Sequence, residues 1–141
     1  QCKKIMNSCK YPKHGGSRGL GLVRANRWGL STLITNPPTI IAQIETIDAI
    51  NNLEEIISYG FDHYMIGPYD LSASLGVPGE FDSSLYLDAI KKMEDIVPKN
   101  KMAVHIPTDV KKYLKKYSDY GIIALGMDTT GLLEFYKELN I

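Results

Sequence analysis

Four short apolar segments alternate with segments of helical periodicity, and this alternation constrains the fold more than any other feature of the sequence. The apolar segments are residues 39–44, 64–66, 102–106 and 122–125. Continuous apolar runs are typical of strands covered on both faces, and strand–helix alternation with short connections predicts a parallel sheet. A complete (β/α)8 TIM barrel takes about 250 residues. We therefore predict an α/β fold in which residues 1–141 form a single domain amounting to about half of such a barrel.

The segments between the strands carry recognisable helix ends. The first predicted helix spans residues 47–57 and ends at Gly60, and Pro98 stops a later one. Residues 71–82 contain glycine and proline and predict a long loop, and residues 132–139 predict a final helix. Three helix starts each have two candidate capping residues: Thr46 or Asp48, Asp82 or Ser83, and Thr108 or Asp109.

Composition argues against several functional classes. The 16 basic and 16 acidic residues give a formal net charge of 0, so the chain has no electrostatic footprint for nucleic acid or a membrane surface. No apolar run approaches the ~18 residues of a membrane span, and we expect no secretory signal from the first residues, which begin at Gln1. Cys2 and Cys9 would lie about 10 Å apart along a helix over residues 3–8, too far for a disulfide. We expect free thiols and a cytoplasmic protein.

Two carboxylates follow consecutive predicted strands, at the edge of the sheet where barrel enzymes carry their chemistry. Glu45 follows the first strand and Asp70 follows the second. Two carboxylates without a thiolate or paired imidazole favour Mg²⁺, Mn²⁺ or a similar ion. Taken singly, Glu45 is better explained as a carboxylate at a helix start and Asp70 as a turn residue. Together they favour a metal site that stabilises the enolate of a 2-oxo acid.

Gln43 alternates with Glu45, so both side chains should face the barrel axis. A glutamine in an apolar strand either orients a substrate carbonyl or metal-bound water, or is a satisfied core amide, and the pattern favours neither. No lysine stands at the carboxyl end of a predicted strand, which weakens a Schiff-base mechanism. His105 is better explained as a packed strand residue, His63 should lie at the opposite end of the barrel, and His14 belongs to a structural glycine-rich loop.

Four segments resemble one enzyme family. Residues 10–19 resemble a motif of the form R-Y-P-P-x-G-x-R-G, and residues 43–46, 67–72 and 126–129 match further motifs in order and spacing. Together they resemble the HpcH/HpaI aldolases, which are metal-dependent class II pyruvate aldolases of the phosphoenolpyruvate/pyruvate barrel superfamily. The resemblance implies that this chain supplies about the last four βα units of a (β/α)8 barrel.

The resemblance also implies an activity and a set of site residues. The family cleaves 4-hydroxy-2-oxo acids reversibly to pyruvate and an aldehyde. Glu45 and Asp70 would hold the divalent metal, which would be Mg²⁺ or Mn²⁺, with Co²⁺ as a further candidate. The family usually forms homo-oligomers, trimers or hexamers, in which the C-terminal helix packs on a neighbour. The remaining substrate contacts would come from Gln43, Gly67, Pro68, Tyr69, Asp70 and Ser72.

Two departures from the family pattern qualify these expectations. The family's general-base histidine and pyruvate-binding arginine lie on earlier strands, so no catalytic residue is carried over and we expect the sequence to be an incomplete view of a longer enzyme. The segment between Trp28 and Thr39 is shorter than usual and holds Pro37 and Pro38 in place of a helix. Two alternatives stay open: a non-catalytic half-barrel for binding or assembly, and a related lyase acting on an acyl-coenzyme A thioester.

Overall fold

A computed structural model describes residues 1–31 and 37–139. Within these ranges the chain forms one parallel sheet whose four strands lie side by side in chain order. This confirms the predicted series of βα units. The shortened segment between Trp28 and Thr39 lies in part outside the described residues. The strands are β1 Ile41–Ile44, β2 His63–Ile66, β3 Met102–Ile106 and β4 Ile122–Leu125.

Helices follow each strand, as the alternation predicted. The helix predicted over residues 47–57 is divided in two at Asn52, whose side-chain amide donates a 2.8 Å hydrogen bond to the Asp48 carbonyl. Such local bonds compete with a continuous helix. The helices are α1 Cys2–Cys9, α2 Ile47–Asn51, α3 Leu53–Ser58, α4 Pro68–Ser74, α5 Ser84–Ile96, α6 Val110–Lys116 and α7 Asp128–Glu138.

The predicted caps have different outcomes. Thr46 caps α2 by accepting a 3.1 Å hydrogen bond from the Ala49 N–H, and Ser83 caps α5 through the Tyr86 N–H. Asp109 occupies the N-cap of α6 with a left-handed backbone, but its side chain makes no capping bond. The last helix begins at Asp128, four residues before the predicted start at 132.

The prediction of a loop over residues 71–82 is wrong for residues 71–74, because these residues belong to α4, which spans Pro68–Ser74. Pro68 stands at the first position of this helix, where its fixed φ suits the helical turn and its missing N–H would have had no partner. Gly67 and Pro68 therefore lead directly from β2 into a helix.

The hydrophobic core lies on one face of the sheet. Ile44, Ile66 and Val104 point to this face and share one buried cluster with Tyr86 and Met93 of α5. Within residues 1–31 and 37–139, the opposite face of β1 is not covered by other elements. Ile41 and Gln43, on the opposite face, are exposed, and we call this opposite side of the sheet the inner face.

The first helix agrees with its prediction. Helix α1 carries Cys2 and Cys9 at its two ends, and both thiols are free and half-buried. No helix in residues 1–31 and 37–139 is long and apolar enough to cross a membrane.

Candidate metal and substrate site

The carboxyl ends of β1 and β2 bring Gln43, Glu45 and Gly67 together on the inner face. A methyl group added to Gly67 would lie 2.9 Å from the Gln43 Nε2 atom, 3.0 Å from Glu45 Cβ and 3.2 Å from Glu45 Oε2. The Gly67 N–H donates a 3.1 Å hydrogen bond to the Ile44 carbonyl, which continues the ladder between the two strands. Glycine is needed here for close approach, since its φ of −94° is open to any residue.

Gln43 is on the face that its alternation with Glu45 predicted, but it is not a buried core amide. Its side chain is exposed, and Glu45 is half-buried. An exposed amide beside a carboxylate can donate to a ligand oxygen and leave the carboxylate free for a cation.

Helix α4 brings Asp70 to the same edge of the sheet. Asp70 lies in the first turn of α4 and is exposed, while Gly67 and Pro68 before it are buried. The first-turn position favours a carboxylate because of the helix dipole, whatever else the side chain binds. The Ser74 hydroxyl accepts a 2.9 Å hydrogen bond from the Ile47 N–H, so α4 is tied to the start of α2, two residues beyond Glu45.

Ser72 has a different place from the one expected for a substrate contact. Its side chain is fully buried, and its hydroxyl donates to the Tyr69 carbonyl at 2.8 Å and accepts from the Gly79 N–H at 3.0 Å. These bonds hold the loop after α4 against the first turn of the helix. Tyr69 itself is about half exposed, with 49% of its surface accessible.

An aromatic cluster supports α4 from behind. The Phe81 ring packs edge-on against Tyr69 at 5.1 Å between centroids, and it also contacts Tyr86 and Tyr113. Burial raises the pKa of the Tyr86 hydroxyl, and it raises that of Tyr117 to about 12, so both stay neutral. The cavity that these rings line with Pro68 measures about 20 Å³, room for roughly one water molecule. This cavity is too small to hold a substrate.

The histidines divide between the two ends of the sheet. His63 begins β2, at the end opposite to Glu45, as the sequence predicted. His105 is the second-last residue of β3, and its Nε2 lies 3.0 Å from the Gly126 carbonyl oxygen. It is half-buried, and its alternation with the buried Val104 and Ile106 places its side chain on the inner face. His105 also lines the small cavity beside Pro68.

The donor set at this edge suits a hard divalent cation. Glu45 carries a carboxylate near the Gln43 amide, and Asp70 carries a second one in the first turn of α4. No group of three or more histidine, cysteine or carboxylate side chains that could hold a metal ion exists in the part of the chain that is described. Two protein carboxylates leave coordination positions for water and ligand oxygens, as Mg²⁺ prefers.

Comparison with known proteins identifies the family of the chain. The sequence profile of the HpcH/HpaI aldolase/citrate lyase family matches residues 1–134. The chain belongs to this family. It is 36% identical over 132 residues to a 4-hydroxy-2-oxovalerate aldolase of Rhodococcus jostii RHA1, covering 89% of this chain and 51% of the relative. It is 38% identical over 85 residues to a 2-keto-3-deoxy-L-rhamnonate aldolase of Escherichia coli K12, covering 55% of this chain and 32% of the relative.

Solved structures support the fold assignment. A HpcH/HpaI aldolase/citrate lyase family protein from Burkholderia cenocepacia J2315 superimposes with a TM-score of 0.81 at 22% identity. The match covers 98% of this chain and 58% of that protein. The chain thus has the α/β fold of a TIM-barrel family and spans about half the length of the curated relatives it matches.

Proposed function

We propose that the chain is the C-terminal part of a divalent-metal-dependent aldolase that cleaves a 4-hydroxy-2-oxo acid to pyruvate and an aldehyde. The observation that carries the proposal is the contact of Gln43 and Glu45 around Gly67, next to the helix that presents Asp70. The names of two relatives, both aldolases of 2-oxo acids, support the reaction class.

In this proposal the residues at the sheet edge bind and orient the substrate. Glu45 and Asp70 would hold Mg²⁺, Mn²⁺ or Co²⁺, and such a cation would supply positive charge where negative charge develops on the substrate. The Gln43 amide donates a hydrogen bond to a ligand oxygen over Gly67, where the missing side chain leaves room. The first-turn N–H groups of α4, at Tyr69 and Asp70, have no partner within the helix and suit the substrate carboxylate.

Two further groups belong to the proposed reaction. The family resemblance assigns a general-base histidine and a carboxylate-binding arginine to earlier strands of the barrel. We propose that turnover requires both groups in addition to the residues of this chain. Binding of the metal and of a 2-oxo acid is therefore a more direct test of these residues than turnover is.

The test is a calorimetric titration with Mn²⁺, with and without oxalate, an analogue of the pyruvate enolate. The wild type should bind Mn²⁺ more tightly when oxalate is present, and Glu45→Gln should lose that binding because it removes one of two carboxylate ligands. Glu54→Gln is the matched control, since Glu54 is an exposed carboxylate on α3. Equal binding by the Glu45 and Glu54 variants would reject the assignment. A wild type without Mn²⁺ binding would favour a non-catalytic assembly module.

We also propose that α7 packs on a neighbouring copy in a homo-oligomer. This is supported by four apolar side chains of α7 that are each more than half exposed: Leu132, Leu133, Phe135 and Tyr136. Light scattering after size exclusion should give a trimer or hexamer for the wild type and a smaller species for Leu133→Glu combined with Tyr136→Glu. A wild-type monomer, or a variant of unchanged size, would contradict this packing.

A further inference from the structure

The strand register places His105 in one row with Glu45. Ile44 lies opposite Ile66, and Ile66 lies opposite Val104. The next row toward the carboxyl ends therefore consists of Glu45, Gly67 and His105. His105 is also paired with Ala124 of β4. Neighbours in such a row point to the same face of a parallel sheet, here the inner face.

Gly67 leaves an open space between the carboxylate and the imidazole. Neighbouring strands are spaced about 4.8 Å apart, so the Glu45 and His105 Cα atoms are separated by about 10 Å. The residue between them has no side chain, and Gln43 and Glu45 already approach it from one side. His105 is the polar side chain on the other side of this gap.

One ring nitrogen of His105 is already engaged. The Gly126 carbonyl oxygen, 3.0 Å from Nε2, can only accept, so Nε2 carries the hydrogen and donates it. In the neutral imidazole this leaves Nδ1 as an acceptor. No hydrogen-bond partner of Nδ1 is found within residues 1–31 and 37–139.

We propose that His105 is a specificity-determining residue whose Nδ1 accepts a hydrogen bond from the C4 hydroxyl of the substrate. The inference rests on the proposed function, which sets the carboxylate and keto end of the substrate on the Glu45 side of Gly67. The chain of the substrate then crosses the gap, and its hydroxyl reaches the imidazole. His105 distinguishes 4-hydroxy-2-oxo acids from 2-oxo acids without the hydroxyl.

The test uses two ligands that differ by this hydroxyl alone. 2,4-Dihydroxypentanoate and 2-hydroxypentanoate lack the keto group at C2, so neither is cleaved during a binding titration of the Mn²⁺-loaded protein. The wild type should bind the dihydroxy acid about fivefold more tightly, the ratio expected for one neutral hydrogen bond. His105→Phe should bind the two acids equally, and His105→Gln, which restores an acceptor, should recover part of the preference.

The outcomes distinguish failure of the role of His105 from failure of the proposed function. Binding of Mn²⁺ and oxalate should be the same in the wild type and in His105→Phe, because Glu45 and Asp70 are unchanged. A preference for the dihydroxy acid that persists in His105→Phe would overturn the role of His105 and leave the metal site intact. Loss of oxalate binding in His105→Phe would overturn it as well, since it would indicate a structural role. Absence of Mn²⁺ and oxalate binding in the wild type would reject the proposed function and this inference together.

Discussion

Replacing Gly67 with alanine tests the close approach on which the site is built. The new methyl group would lie 2.9 Å from Gln43 Nε2 and 3.0 Å from Glu45 Cβ, about half an ångström inside an ordinary van der Waals contact. The backbone adds no strain, since the φ of Gly67 is −94°. The neighbouring side chains must therefore move.

The size of the effect follows from which atoms can move. Overpacking a rigid core costs about 1–3 kcal/mol, but Gln43 is exposed and can shift. We therefore expect the free energy of unfolding to fall by about 1 kcal/mol, at the lower end of this range. Displacing an oriented carboxylate has a larger consequence for the metal, and we expect Mn²⁺ affinity in the presence of oxalate to fall by about tenfold.

The assay is a calorimetric Mn²⁺ titration in the presence of oxalate, together with thermal unfolding followed by circular dichroism. Gly131→Ala is the control, because it adds the same methyl group where nothing lies within 4 Å. Unchanged Mn²⁺ affinity in Gly67→Ala, with a folded protein, would refute the claim that Gln43 and Glu45 are held against Gly67 to bind a metal.

Three further predictions concern the supports of the site. Met93→Ala should lower the free energy of unfolding in urea by about 3 kcal/mol, because Met93 is fully buried. Leu87→Ala, at a more exposed position of the same helix, should lower it by less than about 1 kcal/mol. Equal losses in the two variants would contradict the described core. Ser72→Ala removes both hydrogen bonds of a fully buried hydroxyl, so we expect the free energy of unfolding to fall by about 1–3 kcal/mol, and an unchanged unfolding midpoint would contradict this. Phe81→Ala removes the ring behind Tyr69 and should lower stability by about 2 kcal/mol and Mn²⁺ affinity by a few-fold, with Phe81→Tyr retaining both.

The sequence predicted the alternation of strands and helices and the parallel sheet, because these signals are local and repeated. Each strand is a short apolar run, and the capping residues Thr46 and Ser83 stand where a helix start needs an acceptor. The position of Glu45 at the end of β1 followed directly from this pattern. The same reasoning placed Asp70 after β2, and the residue stands in the first turn of α4, the helix that follows this strand.

The errors arose where one residue serves two structural roles. The sequence predicts a loop over residues 71–82, yet proline is suited to begin a helix, and α4 starts at Pro68 and extends to Ser74. The apolar run of β1 predicted burial on both faces, but a strand sequence does not reveal which elements cover each face. In the described structure Gln43, on the inner face, is exposed.

The role of Gly67 and the row that contains His105 could not be derived from the sequence. Both depend on the register between strands that are far apart in the chain, and register is a three-dimensional property. The usable signal was a glycine directly after a buried strand and before a carboxylate-bearing turn. That pattern indicates a close approach but does not identify which side chains approach.

The most direct test of the central claim is anomalous X-ray diffraction, measured at the manganese absorption edge, from crystals soaked with Mn²⁺ and pyruvate. The account predicts a single strong peak between the carboxylates of Glu45 and Asp70, with pyruvate density over Gly67. A peak at other residues, or pyruvate bound away from Gln43, would contradict the assignment of this sheet edge as the metal and substrate site.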